Sequence, residues 1–203
     1  LYGSSFDTVE QVHTLVRDLQ AASSVPLLLA TDHEGGAVNR LTETTGLGAS
    51  EVPPAASIGR TGRPELAREA GRVVALELRA VGMHACLCPV ADVRSGSMLS
   101  SRTFSTEPEA VGRFAAAFVR GLQGEGVMAV VKHFPGLGGA SEDTHFTVPR
   151  IQDSFAVVRD RDLAPFRHVF RAGAGGVMLG HHAVLELDRL GRPATVSPPI
   201  VQD

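Results

Sequence analysis

The sequence holds no tryptophan, one tyrosine and two cysteines in 203 residues. Two cysteines cannot build the disulfide framework of a small secreted scaffold. Cys86 and Cys88 also fall short of a thiolate metal site, which needs two more ligands at suitable spacing, and none lies nearby in sequence. Positions i and i+2 of a strand share a face, so the pair reads as two small, buried, apolar side chains. No basic run exceeds two residues, and 19 Lys+Arg against 22 Asp+Glu give a net charge of -3, which argues against a nucleic-acid footprint. No apolar stretch reaches the roughly 18 residues that a membrane-spanning helix needs.

What is present suits a globular chain: 43% hydrophobic and 20% charged residues, in the length of one domain or a piece of one. The chain opens at Leu1-Tyr2-Gly3, which reads like the end of an apolar strand, so a partial domain over 1–203 is expected.

Four short apolar runs read as buried parallel strands: Pro26 to Thr31, His84 to Val93, Val127 to Val131 and Gly176 to Gly180. Helical patterns alternate with them. Asp7-Thr8-Val9-Glu10 resembles a capping box ahead of Val9, Val12, Leu15, Val16 and Leu19. Pro64 suits a first helical turn, and Gly82 the stop of the same helix. Thr106 to Glu109 starts a third helix, and Leu163, Phe166, Val169 and Phe170 mark a fourth. The alternation predicts α/β units around a parallel sheet. Arg40 to Gly62 and Gly136 to Ser154 read as long loops.

Each apolar run ends on titratable groups. The first ends on Asp32-His33-Glu34, the second reaches Asp92, the third runs into Lys132-His133, and the fourth into His181-His182. In a parallel α/β sheet those ends lie on one side, where such proteins build their sites. A nucleotide-binding reading fares worse. Gly136-Leu137-Gly138-Gly139 lacks both the dinucleotide glycine spacing and the Lys-Ser/Thr of a phosphate loop.

Several of these segments together resemble glycoside hydrolase family 3. Asp32-His33-Glu34-Gly35-Gly36 with Arg40 is similar to the family's D-Q-E-G-G…R stretch. Pro89 to Val93 resembles its P-V-x-D-V strand, and Ser101 to Ser105 its R-S/T-F-G/S turn. Lys132 to Gly136, followed by Asp143-Thr144-His145, resembles the K-H-F-P-G-H-G…D-S-H loop of the β-N-acetylhexosaminidase branch. The resemblance implies a (β/α)8 TIM-like barrel, incomplete here and covering roughly strands two to six. It implies a retaining exo-β-N-acetylhexosaminidase that releases terminal N-acetylglucosamine from cell-wall muropeptides or related glycosides, with no metal or organic cofactor. Carried over, His145 resembles the general acid/base and Asp143 its orienting partner. Asp32, Arg40, Arg102, Lys132 and His133 resemble the groups that hold the sugar hydroxyls.

The residue types suit that chemistry: a histidine can donate a proton and then accept one near neutrality, while Lys and Arg donate to hydroxyls and Asp accepts from them. Three departures stand out. Leu137 replaces the family's second His, and His33 its Gln, with little effect expected from the latter. The family's nucleophilic Asp is expected beyond Asp203, so the chain alone is expected to be inactive. The alternatives are another family 3 exo-β-glycosidase or phosphorylase, or a non-catalytic sugar-binding homologue.

Overall fold

The computed structural model describes residues 1–41, 48–94, 99–140 and 147–202. Chain order begins with a 3-10 turn at Gly3–Ser5, then helix α1 (Val9–Ala21), β1 (Ala30–Thr31), β2 (His33–Gly35) and β3 (Val38–Asn39). Helices α2 (Ala55–Arg60) and α3 (Pro64–Ala80) follow, then β4 (Ala85–Cys86), α4 (Pro108–Gly124) and β5 (Met128–Phe134). After β6 (Arg150–Ile151), α5 (Phe155–Val157) runs through a π-helical turn into α6 (Leu163–Arg171). The chain continues with β7 (Gly176–Leu179), β8 (Ala183–Val184) and α7 (Pro198–Val201).

The central sheet is parallel, with strand order β1-β4-β5-β7. Spatial order follows chain order without reversal, so the sheet is singly wound, as in a barrel, and has no switch point. Helices α3, α4 and α6 pack side by side as one layer. Among the described residues the sheet stays open between β1 and β7. This mixed α/β fold with a parallel sheet agrees with the expected incomplete barrel.

All four expected strands form, but the first two are only two residues long, far shorter than their apolar runs. In the run from His84 to Val93 only Ala85 and Cys86 are strand, and Pro89 has no N–H to give to the ladder. Val90 still bridges Lys132 in parallel. The expected loop from Arg40 to Gly62 contains α2, which forms because Ala55, Ala56 and Ile58 bury one face. The α1 cap is one residue later than expected. Thr8 Oγ1 accepts from the Gln11 N–H at 3.1 Å, and Gln11 Oε1 accepts from the Asp7 N–H at 3.1 Å.

The core lies between the sheet and the helix layer. Phe104 stacks on Phe114 with ring centroids 5.6 Å apart, and Phe134 meets Phe166 edge-on at 5.3 Å. Helices α3 and α4 touch at Gly71 and Gly121. A Cβ on Gly71 would strike the Phe118 carbonyl, and one on Gly121 the Arg68 carbonyl. Cys86 and Cys88 are buried free thiols, with Sγ atoms 2.7 Å apart.

Candidate active site

The carboxyl ends of β1, β5 and β7, with the chain leaving β4, bring together residues far apart in sequence. Asp32 follows β1, and Glu34 lies in β2. Lys132 and His133 sit near the end of β5, opposite Met178 of β7 and beside Val90. Arg102 comes from the turn before α4. Lys132 Nζ lies 2.6 Å from Asp32 Oδ1 and 2.6 Å from Glu34 Oε1. Arg102 grips Glu34 with both prongs, Nε to Oε2 at 2.9 Å and Nη2 to Oε1 at 2.8 Å.

Two layers result. Lys132 exposes 3% of its side chain and Glu34 6%, whereas Asp32 exposes 18% and Arg102 26%. The buried pair thus supports an outer pair that meets solvent. Lys132 commits two of its three N–H donors to carboxylates, which leaves one for a ligand hydroxyl. Burial by itself would push the Glu34 carboxyl up. The hydrogen bonds from Arg102 and the charges of Lys132 and Arg102 outweigh it and hold the group below its ordinary range. Burial would likewise pull Lys132 down, but Glu34 and Asp32 keep it above the ordinary lysine value. Glu34, Lys132 and Arg102 are therefore charged near neutral pH.

A second pair adjoins them. His133 Nδ1 donates to Asp92 Oδ2 at 2.7 Å, and the Leu137 N–H donates to Asp92 Oδ1 at 2.7 Å. Asp92 is fully buried. Its burial favours the neutral acid, but His133, Leu137 and the His133 N–H hold its carboxyl below the usual value. With Nδ1 committed, the ring of His133 has Nε2 left to face a ligand.

Among the expected site residues, Asp32, Arg102, Lys132 and His133 meet in this way. Arg40 follows β3, half-buried, where the chain enters residues 42–47. Asp143 and His145 lie outside the described residues. Three participants were missed as site residues. Glu34 and Asp92 stand inside motifs that the sequence singled out, yet only their partners were assigned. The third is Glu77 of α3, which meets the buried His33 Nε2 at 3.2 Å and accepts from the Ser50 N–H at 2.7 Å. His33 is thus a cross-strut between β2, α3 and the loop before α2, more than the neutral replacement expected.

Residues 1–203 match the family described as glycosyl hydrolase family 3 N terminal domain. The chain belongs to this family. The family 3 chain is 36% identical over 192 residues to a beta-hexosaminidase of Tolumonas auensis, a match that covers 93% of the chain and 56% of that protein. It is 37% identical over 213 residues to a beta-hexosaminidase of Stenotrophomonas maltophilia, covering 100% of the chain and 61% of that protein. Among solved structures, a family 3 beta-N-acetylglucosaminidase from Paenibacillus sp. superposes with a TM-score of 0.93 at 33% identity, over 100% of this chain and 39% of that one. Native NagZ from Neisseria gonorrhoeae superposes with a TM-score of 0.90 at 34% identity, over 100% of this chain and 60% of that one. The family 3 chain thus spans little more than half the length of the curated relatives it matches.

Proposed function

We propose that the chain forms the sugar-holding part of a retaining exo-β-N-acetylhexosaminidase acting on terminal β-linked N-acetylglucosamine, with cell-wall muropeptides as the natural substrate class. The observation that carries this reading is the four-charge cluster of Asp32, Lys132, Glu34 and Arg102 beside His133 at one rim of the sheet. It offers one acceptor carboxylate and several fixed donors to a polyol, and its buried members hold the exposed ones in place. The relatives named beta-hexosaminidase support a hexosaminide as the sugar.

In this reading Asp32, Arg40, Arg102, Lys132 and His133 hold the sugar ring. His145 protonates the leaving oxygen and later deprotonates the attacking water, and Asp143 orients it. The nucleophile is a further carboxylate. The resemblance to family 3 places that role after Asp203, while Asp32 and Glu34 are tied to Lys132, and Asp92 to His133.

The test is hydrolysis of an aryl N-acetylglucosaminide against the matching aryl glucoside by the natural-length protein. A strong preference for the former is expected. Preference for the glucoside would move the substrate to another exo-β-glycosidase class. Binding of N-acetylglucosamine without turnover would make the protein a sugar-binding homologue.

A further inference from the structure

Helix α4 is almost wholly covered by its neighbours. From Val111 to Leu122 only Arg113 and Arg120 reach solvent. They stand two helical turns apart on one face, with the buried Ala116 between them. Helix α6 closes on α4 at Gly112, where any Cβ would strike the His168 ring. Arg171 follows His168 by one turn of α6. Arg113, Arg120, His168 and Arg171 wall a cavity of about 300 Å³, together with Pro64 and Ala116. The cavity lies in the helix layer and shares no residue with the charged rim of the sheet.

The charges around it are unanswered. Among the described residues Arg113, Arg120 and Arg171 make no ion pair and no hydrogen bond, whereas seven arginines elsewhere pair with carboxylates. Two acids border the cavity, and both are committed. Glu109 Oε2 lies 2.9 Å from His168 Nε2, and Glu65, next to Pro64, pairs with Arg63 at 2.7 Å. Three guanidinium groups around one space repel one another. With a net charge of -3, the chain has no general excess of cations to account for their convergence. A solvated arginine needs no cavity, and these three share one.

The partner that such a set lacks is an anion. A guanidinium presents paired N–H donors that match phosphate oxygens two at a time. Arg113 and Arg120 are about 10 Å apart along the helix axis, so two linked phosphate groups serve both ends better than one. We propose that the cavity between α4 and α6 binds a small diphosphate anion, with Arg113 and Arg120 each taking one phosphate group and Arg171 reaching across from α6. The bound charge would cancel the repulsion among the three cations and tie α6 to α4. Free pyrophosphate and a nucleoside diphosphate present this same group.

Isothermal titration calorimetry of the natural-length protein with inorganic pyrophosphate tests the site. One saturable site is expected, with Kd below about 1 mM at low salt and weaker binding as salt rises. Arg113→Gln and Arg171→Gln should each weaken it at least about 10-fold, because each removes a charge-assisted hydrogen bond. Arg120→Gln repeats the test if either variant fails to fold. Arg189→Gln, which alters an exposed arginine outside the cavity, should leave the affinity unchanged. ADP separates the sources: binding of pyrophosphate alone assigns the free anion, and equal or tighter binding of ADP assigns a nucleoside diphosphate. Absence of saturable binding overturns the proposal. So does binding that survives the cavity substitutions, since the anion then sits elsewhere. Inorganic phosphate binding as tightly as pyrophosphate overturns the assignment of two linked groups.

Discussion

Lys132 and Asp32 stand 100 residues apart in the chain, and their side chains meet at 2.6 Å. The contact closes a circuit: Asp32 follows β1, Glu34 lies in β2, Lys132 belongs to β5, and Arg102 arrives from the turn before α4. Neutralising the lysine leaves two carboxylates facing each other with only Arg102 to serve them. Removing one member of a buried charge set costs about 3–5 kcal/mol. Lys132→Met is expected to lose stability on that scale, read from the midpoint of urea unfolding. A midpoint within error of the parent would show that water reaches the cluster and screens it.

The His33–Glu77 contact makes a second expectation. Glu77 Oε1 also accepts from the Ser50 N–H, so its carboxylate braces the loop before α2 as well as β2. Glu77→Ala should cost about 1–3 kcal/mol, because it strands a buried ring nitrogen and a backbone donor. His33→Gln should be milder, since an amide can still donate to the carboxylate. Differential scanning calorimetry ranks the two. A larger loss for His33→Gln would mean that ring packing outweighs the hydrogen bond.

Acid stability follows from two groups with opposite chemistry and the same sign. Burial of the His182 ring holds its titration at about 4 in the fold, against its ordinary ~6.5 when unfolded, so between those values the unfolded chain binds the extra proton. Stability therefore rises with pH across that window, by roughly 3 kcal/mol in full. Asp92 is held below its ordinary value, so its share is present above about 4 and is lost as pH falls through the lower folded value. The His182→Asn protein should lose less stability between pH 6.5 and 4 than the parent, measured by urea unfolding at stepped pH. Parallel curves would remove His182 from the account.

The proposed acid/base has its own signature if the protein is the hexosaminidase proposed above. His145→Ala should slow substrates with poor leaving groups by about two to four decades, and activated aryl glycosides far less. Asp143→Asn should lower the rate and move the limb that reports His145 to lower pH, because a carboxylate beside an imidazole favours its charged form. Equal losses across leaving groups would assign His145 a binding role instead.

The α/β alternation was legible because short apolar runs and 3.6-residue patterns are local signals. All four strands and the helices at Val9–Ala21, Pro64–Ala80, Pro108–Gly124 and Leu163–Arg171 stand where those signals pointed. Strand length was not legible in the run from His84 to Val93, because apolar content marks a buried run while pairing depends on backbone donors, and Pro89 supplies none. The site was half legible. Ordered motifs named Asp32, Arg102, Lys132 and His133. Glu34, Asp92 and Glu77 escaped because a carboxylate becomes a partner only when the fold brings a donor to it from 68, 41 or 44 residues away. Sequence spacing carries no record of such distances.

The rim cluster sets two carboxylates against two cations, so its formal charges cancel within a few ångströms. A balanced set projects little field past a Debye length of ~8–10 Å at moderate salt. An uncharged sugar approaching this rim meets oriented donors and acceptors only on contact, with no long-range pull to guide it. Added salt, which weakens sites that attract charged ligands from afar, should leave the capture rate of such a sugar nearly untouched.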